Sequence, residues 1–254
     1  MSNDATTILQ TPVTATLNQH YSVRAFTDQP VSDELLHTIL NAARRSPTSS
    51  NMQTYSLIVV RDPATRARLA ELAGNQGHIV ECAVFVGFLA DINRLGIATQ
   101  MHGEELAKSL ETTLVATVDA ALVGMSVQTA AESFGLGAVM IGGMRNQPQA
   151  VAELLEFPAG VYMVYGMSIG WPQPPETLQP LKPRLPEALV IHHEKYDTAD
   201  PRPLIADYDA QLASFYAYRN QHAAAWSGPI AERLKEPRRP GLRKALEALG
   251  FSLE

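Results

Sequence analysis

The segment from residue 114 to residue 131 constrains the fold of this chain more than any other. It lies within residues 104–134, whose pattern predicts one long helix, and it is apolar on most sides. Such a helix must be buried, and small residues along it let another helix approach closely. We therefore expect either a central core helix or a dimer interface, with Gly135 as its stop. The small residues are Ala116, Ala120, Ala121, Gly124, Ala130 and Ala131.

The remaining segments alternate between strand and helix patterns. Apolar, β-branched runs predict strands at residues 54–61, 83–90, 137–141 and 161–169, and a late edge strand at 188–192. Capping residues predict helices after Ser32 and from Pro63, and residues 148–155 form a further short helix. Residues 171–186 carry six of the 17 prolines, which is typical of an extended loop. The pattern after Pro201 is helical.

These elements predict one α/β domain with a helical C-terminal extension. We divide the 254 residues into an N-terminal segment (1–19), a core (20–195) and the extension (196–254). A net charge of −6 argues against an extended nucleic-acid-binding surface. The single cysteine, Cys82, excludes a disulfide framework and a multi-cysteine zinc site. Without a secretory pattern or an uninterrupted apolar run of roughly 20 residues, we expect a soluble, cytoplasmic protein.

Two short basic clusters, far apart in sequence, predict an anion site. They are His20-Tyr21-Ser22-Val23-Arg24 and Lys182-Pro183-Arg184-Leu185-Pro186. Guanidinium, ammonium and hydroxyl donors that folding brings together suit one small anion, most simply a phosphate. If the clusters converge, the protein binds a phosphate-bearing ligand. If they do not, each is an ordinary surface segment.

Two further segments are candidates for contact with such a ligand. The hydroxyls and amides of residues 46–53 can donate to phosphate or heterocycle oxygens, with an ordinary polar loop as the alternative. Ile141-Gly142-Gly143 closes a strand, where two glycines let a flat ligand approach the backbone, with a simple turn as the alternative. Gly135-Leu136-Gly137 leads into a strand and is no dinucleotide fingerprint, and neither a Walker loop nor a nucleophile elbow is present.

Taken in order, the motifs resemble the FMN-dependent nitroreductase family. His20-Tyr21-Ser22-Val23-Arg24-Ala25-Phe26 is similar to the family opening H-R-S-[IV]-R-x-[FY]. Similar motifs follow at residues 49–53, 74–76, 132–143 (ESFGLGAVMIGG), 166–172 (GMSIGWP) and 182–186 (KPRLP). The resemblance covers roughly residues 20–226 and is strongest to NADPH-dependent, oxygen-insensitive nitroreductases and NADPH:flavin oxidoreductases. Tyr21, in place of the family arginine, and Asn75, where relatives often have glycine, depart from the pattern.

The resemblance implies a homodimeric α+β protein. Its fold would be a three-layer sandwich in which helices flank a central mixed, mostly antiparallel sheet, with FMN in two pockets at the subunit interface. His20, Ser22, Lys182 and Arg184 would hold the FMN phosphate, and Tyr21 would contact the cofactor through its backbone or pack on it. Other implied contacts are Arg24 and Gln76 with the pyrimidine edge, and Ser49, Ser50, Gln53, Met140, Ile141, Gly142 and Gly143 with the ribityl chain and ring.

The resemblance also implies ping-pong transfer of hydride from NADPH through FMN to nitroaromatics, quinones or free flavins. Arg24 and the backbone N–H of Gly143 would tune the flavin, so no further catalytic residue and no metal are expected. Arg219 would meet the NADPH 2′-phosphate. Two alternatives stay open: another reductive enzyme on this fold, such as a dehalogenase or ene-type reductase, and a non-enzymatic flavin-binding redox sensor.

Overall fold

The computed structural model describes residues 9–174, 181–219 and 225–254. The chain divides into two compact units, Met1–Pro174 with Arg239–Glu254, and Pro175–Arg238. Parts of the predicted N-terminal segment (residues 1–8) and of the proline-rich loop (residues 175–180) lie outside the described residues.

The first unit contains a sheet of four strands and eight α-helices among the described residues. The strand order is β1-β2-β4-β3, and each neighbouring pair in this part of the chain is antiparallel. The strands are β1 (Tyr55–Val60), β2 (Val84–Asp91), β3 (Gly137–Ile141) and β4 (Val161–Gly170). The helices are α1 (Pro12–Asn18), α2 (Asp33–Ala43), α3 (Pro63–Leu72), α4 (His78–Glu81), α5 (Asn93–Gln100), α6 (Leu110–Ser133), α7 (Pro148–Leu154) and α10 (Leu242–Ala248).

The second unit is helical. It contains α8 (Arg202–Tyr218), α9 (Ser227–Leu234) and a short 3-10 helix at Glu187–Leu189. Asp209 on α8 accepts hydrogen bonds from the backbone N–H groups of Trp226 (2.6 Å) and Ser227 (2.8 Å), which ties the start of α9 to α8. The edge strand expected at residues 188–192 was wrong, because the chain turns there with an i→i+3 bond from Val190 N–H to the Glu187 carbonyl.

The α+β prediction of helices on both faces of a sheet is confirmed. Every residue of β2 is buried, and its alternating side chains enter two separate hydrophobic clusters. Val84, Val86 and Phe88 pack with α2 and α6 on one face. Phe85 and Leu89 pack with α3 and α7 on the other. Because strand side chains alternate between faces, a wholly apolar strand is the pattern expected of a middle layer.

Helix α6 begins later than its sequence pattern indicated. It starts at Leu110 because Ser109 forms a capping box with Thr112, so the predicted start at residue 104 was wrong. Among the described residues, α6 has the length and apolar composition to cross a membrane. Its Ala116, Ala120 and Val123 are fully buried, which makes it a core helix. Gly135, at φ +83°, follows its end as predicted.

The glycine in the middle of α6 makes room for a strand residue. The register of β4 against β2 shifts between Phe88 and Leu89, which leaves both Val164 and Tyr165 on the α6 side of the sheet. The Tyr165 hydroxyl donates to the carbonyls of Ala120 (3.2 Å) and Ala121 (3.3 Å). A Cβ at Gly124 would lie 1.6 Å from this hydroxyl. At Gly124, then, the close neighbour is Tyr165 and not another helix.

Candidate active site

The opening motif forms an extended segment beside β3. The Val23 N–H donates to the Ala138 carbonyl at 3.0 Å, and the Thr27 N–H donates to the Trp171 carbonyl at 2.9 Å. Side chains alternate along extended backbone. Tyr21 and Val23 therefore face the hydrophobic cluster on the α3 and α7 side of the sheet, while Ser22 and Arg24 are exposed. The segment therefore presents its hydroxyl and its cation to the outside.

This alternation explains the departure at residue 21. Tyr21 packs against the cluster that contains Val23 and Phe26. Burial, and secondarily the negative charge of Glu132, raise the pKa of its phenol, so the side chain stays neutral. A tyrosine on the core side adds packing at a position where the family pattern has an arginine.

His20 is held by a carboxylate on α6. Its Nδ1 lies 2.6 Å from Oε1 of Glu132, with both side chains mostly buried. The Gln128 Nε2 lies 2.9 Å from the same Nδ1, so the carboxylate and this amide together set the orientation of the ring. Oε2 of Glu132 is buried and has no hydrogen-bond partner among the described residues. Glu132 is the first residue of the family motif at residues 132–143, but it was not among the site residues predicted from the sequence.

The two glycines after β3 meet Gln76 across a narrow gap. They begin the 3-10 helix Gly142–Asn146. The Ala73 carbonyl accepts from the Gln76 Nε2 at 3.0 Å and from the Asn146 Nδ2 at 3.3 Å. A Cβ at Gly143 would lie 2.5 Å from that carbonyl oxygen and 2.6 Å from the Gln76 Nε2. Only glycine fits, and the predicted site residues Gln76 and Gly143 are in contact range.

His78 extends this arrangement and was missed by the sequence analysis. Its Nε2 lies 3.1 Å from the Gln76 Oε1, and its Nδ1 lies 3.3 Å from the hydroxyl of the buried Ser168. Burial and then the positive charge of Arg24 lower the pKa of His78, against a smaller opposite effect of Glu81. A neutral ring that donates from Nε2 fits these contacts and orients the Gln76 amide. The Arg24 charge thus acts in the same neighbourhood as Gln76.

The backbone conformation at residues 74 and 75 explains the asparagine that precedes Gln76. Gly74 has φ +92° and Asn75 has φ +60°, so two successive residues turn in the left-handed region after α3. Asparagine tolerates this conformation better than most residues that carry a Cβ. Its presence where relatives often have glycine therefore preserves the turn that delivers Gln76.

Arg239 reaches the same glycine turn from the C-terminal part of the first unit. Its Nε donates to the Asn146 Oδ1 at 2.9 Å, and its Nη2 donates to the Gly142 carbonyl at 3.2 Å. A polar cavity of about 520 Å³ adjoins this contact, lined in part by Arg145, Gln149 and Glu153. Sequence reasoning missed Arg239, because only the fold brings it to residues 142–146.

The polar segment at residues 49–53 lies elsewhere in the first unit. It precedes β1, at the edge of the sheet opposite β3. Three of its residues occupy the left-handed region, Ser50 at φ 48°, Asn51 at φ 57° and Gln53 at φ 52°. The two edge strands are three strand spacings apart, about 14 Å. Within one chain, the sheet separates Ser49, Ser50 and Gln53 from Met140, Ile141, Gly142 and Gly143.

The second basic cluster is ordered within the second unit. The Lys182 Nζ donates to the Tyr216 hydroxyl at 2.9 Å and lies 5.1 Å from the centre of that ring. The Arg184 Nη1 donates to the Lys182 carbonyl at 3.3 Å. Arg219 lies over the Phe215 ring at 5.3 Å. Lys182 and Arg219 thus both lie against aromatic side chains of α8, which hold two cations of this unit.

The donor set of the β3 edge suits FMN. The half-buried Gly142 and the buried Gly143 lie beside Gln76, and the neighbouring Met140 is 40% exposed. Ser22 and Arg24 add a hydroxyl and a cation that are free of core packing. A flat heterocycle with carbonyl acceptors and an anionic tail needs these groups. Among the described residues, no cluster of His, Cys, Asp and Glu could hold a metal ion.

Comparison with known proteins decides the family. The model of the nitroreductase family matches residues 17–171, and that of the nitroreductase family C-terminal domain matches residues 182–254. This chain belongs to the nitroreductase family. It is 39% identical to the oxygen-insensitive NADPH nitroreductase of Salmonella typhimurium over 95% of this chain and 98% of that protein. It is 38% identical to the Bacillus subtilis FMN reductase [NAD(P)H], again over 95% and 98%.

A solved structure agrees with these relatives. The NADPH:FMN oxidoreductase of Vibrio harveyi, complexed with NAD+, superimposes with a TM-score of 0.86 at 32% identity, over 96% of this chain and 100% of that one. The family and the fold class predicted from the sequence are confirmed. The roles of the individual site residues stay predictions. The fold brings some of these residues together within one chain and separates others.

Proposed function

We propose that this protein oxidises NADPH and reduces nitroaromatics, quinones or free flavins. Relatives named as NADPH nitroreductase, FMN reductase and NADPH-flavin oxidoreductase confirm the prediction of an FMN-dependent NAD(P)H oxidoreductase. The observation that carries the proposal is the glycine turn at residues 142–143, packed on Gln76 with no space for a Cβ at Gly143. Because NADPH is an intracellular reductant, we also propose a cytoplasmic location.

FMN, when bound, would supply the redox chemistry, which is hydride transfer between NADPH and the acceptor. The residues of this chain bind and orient. Gln76, whose amide is oriented by His78, would donate to a ring oxygen, and Arg24 would place a positive charge beside the ring. His20 and Ser22 would bind the phosphate, a role that the family resemblance also assigns to Lys182 and Arg184, and the Gly143 N–H would be directed at the flavin ring.

We propose that the active protein is a homodimer whose cofactor site is shared between subunits. Two features support this. Leu114, Val118, Leu122 and Met125 are 52%, 53%, 39% and 39% exposed along one side of α6, and an apolar groove of about 430 Å³ runs between this stripe and residues 47–49. Sheet order also separates the two groups of site residues by about 14 Å within one chain. A second copy on the stripe buries apolar surface and supplies the missing group.

Anaerobic reduction tests the proposed activity. The purified protein should be yellow, and stoichiometric NADPH should bleach the flavin absorbance within the mixing time of a stopped-flow experiment. Subsequent addition of a nitroaromatic or a quinone should restore the colour. A colourless protein would contradict flavin binding. A yellow protein that neither NADPH nor NADH bleaches would exclude the reductase and favour a flavin-binding sensor. Reoxidation only by a halogenated or enone substrate would favour the other reductive enzymes.

Nucleotide preference tests the proposed role of Arg219. Replacing Arg219 by alanine removes a guanidinium that we assign to the NADPH 2′-phosphate. We expect KM for NADPH to rise about tenfold, as for the loss of one charged hydrogen bond, while KM for NADH stays within about twofold. Steady-state kinetics with both nucleotides measure this. An equal change with the two nucleotides would show that Arg219 does not read the phosphate.

A further inference from the structure

The loop at residues 49–53 is held in a conformation that its residues disfavour. Ser50, Asn51 and Gln53 are not glycines, yet all three have positive φ angles between 48° and 57°. Left-handed backbone is unfavourable at serine and glutamine, and less so at asparagine, and it persists only where surrounding contacts impose it. The structure should therefore contain groups that impose it.

One such group is Asp119, in the middle of α6. Its side chain is 1% exposed, and each of its oxygens accepts hydrogen bonds from the flanks of the loop. Oδ1 accepts from the Ser49 N–H at 3.1 Å. Oδ2 accepts from the Thr54 N–H at 3.0 Å and from the Thr54 hydroxyl at 2.7 Å. A buried carboxylate is costly unless it is hydrogen-bonded, so Asp119 is present for these contacts.

A second group binds the end of the loop. The Arg94 guanidinium donates to the Gln53 carbonyl at 3.0 Å and to the Ser56 hydroxyl at 2.8 Å, and Asp91 holds it at 3.1 Å. Asp119 thus binds donors on the first residue of the loop and on the residue that follows it, and Arg94 binds the last carbonyl of the loop. The Arg94 side chain is 54% exposed, so its contacts contribute less than those of the buried carboxylate.

We propose that Asp119 is a positioning residue that fixes residues 49–53 in the conformation that binds the cofactor. The hydrophobic cluster around α6 is apolar among the described residues, so its packing does not require a buried carboxylate that holds a strained loop. Such a carboxylate is useful where the hydroxyl and amide donors of the loop must bind a ligand in one arrangement. The proposal rests on the proposed function, in which Ser49, Ser50 and Gln53 contact FMN.

Asparagine at position 119 tests this with little change in volume. An Asp119→Asn side chain turns one acceptor into a donor, which faces N–H groups and leaves the loop free to relax. If the binding-competent loop falls to a tenth of the population or less, the apparent Kd for FMN rises about tenfold or more. The measurement is titration of deflavinated protein with FMN, followed by quenching of flavin fluorescence, together with thermal unfolding of the apoprotein.

Three further variants separate positioning from general stability. Thr54→Val removes one bond to Asp119 and should raise the Kd in the same direction by a smaller factor, even if Asp119→Asn does not fold. Asn51→Gly, added to Asp119→Asn, lowers the cost of positive φ and should recover part of the affinity. Thr113→Val is the matched control, because the buried Thr113 hydroxyl on α6 donates to the Ser252 carbonyl at 2.7 Å and not to the loop.

The outcomes are distinguishable. Asp119→Asn and Thr54→Val with weaker FMN binding, and Thr113→Val with lower stability but unchanged Kd, support the proposal. If all variants bind FMN like the wild type, or if Thr113→Val loses as much affinity as Asp119→Asn, Asp119 has no positioning role. If the wild-type apoprotein does not bind FMN, the proposed function fails instead.

Discussion

Replacing Gly143 by alanine should weaken FMN binding about 10- to 100-fold. The new Cβ would lie 2.5 Å from the Ala73 carbonyl oxygen and 2.6 Å from the Gln76 Nε2. The carbonyl belongs to the backbone at the end of α3, so either the 3-10 helix Gly142–Asn146 moves away or Gln76 is displaced. Forcing a methyl group into such a contact costs about 1–3 kcal/mol, and a 10- to 100-fold loss of affinity, about 1.4–2.7 kcal/mol, lies within that range.

The same substitution one residue from Gln76 provides the control. At Gly77 the nearest atom to a new Cβ is the end of the Glu81 side chain, at 3.4 Å, so Gly77→Ala should keep its FMN. The flavin content of purified protein and the Kd from fluorescence titration measure both variants. If Gly143→Ala binds FMN within twofold of the wild type, the glycine turn is not part of the cofactor site.

Replacing Gly124 by alanine should lower the free energy of unfolding by about 3 kcal/mol, the upper range for overpacking. A Cβ there would lie 1.6 Å from the Tyr165 hydroxyl, which has to leave the carbonyls of Ala120 and Ala121. The ring cannot move freely, because it is stacked on Phe88 with 4.9 Å between centroids. Burial raises the pKa of Tyr165, so a displaced phenol remains a neutral donor that has lost its acceptors.

At a second helical glycine we expect the opposite change in the free energy of unfolding. Gly96 lies within α5 with nothing within 4 Å of a new Cβ, so Gly96→Ala should stabilise the protein by about 1 kcal/mol through helix propensity. Urea unfolding followed by circular dichroism compares the two. Adding Tyr165→Leu to Gly124→Ala should recover part of the loss, as a double-mutant cycle would show. Equal effects at the two glycines would contradict the packing argument.

Local signals predicted most elements because their causes are local. Ser32 and Asp62 cap α2 and α3 through hydrogen bonds to Leu35 and Thr65, and each is readable from a few residues. The start of α6 was predicted wrongly because two local signals compete. Residues 104–109 allow a helix, but Ser109 forms a capping box that begins the helix at Leu110 instead. The edge strand at 188–192 failed because short apolar runs carry no periodicity that separates strands from turns.

The candidate site was predictable where residues adjoin in sequence and not where folding joins them. The alternation around Val23 already separates Ser22 and Arg24 from Tyr21, although only the packing shows that Tyr21 faces the core. His78 lies two residues after Gln76, but its role depends on Ser168, which is 90 residues away in sequence. In the sequence, Asp119 is a lone polar residue in an apolar helix. Its role depends on the three hydrogen bonds that it accepts in the folded protein.

The sequence by itself determined the family and the layered α+β class, and it predicted the types of residue that would surround the cofactor. Those properties follow from side-chain period, capping and ordered motifs, all of which are recorded along the chain. Only the tertiary structure decided which candidate residues lie together within one chain. Strand order places residues 49–53 and 142–143 at opposite edges of the sheet, because contacts between distant segments depend on the pairing of β2 with both β1 and β4.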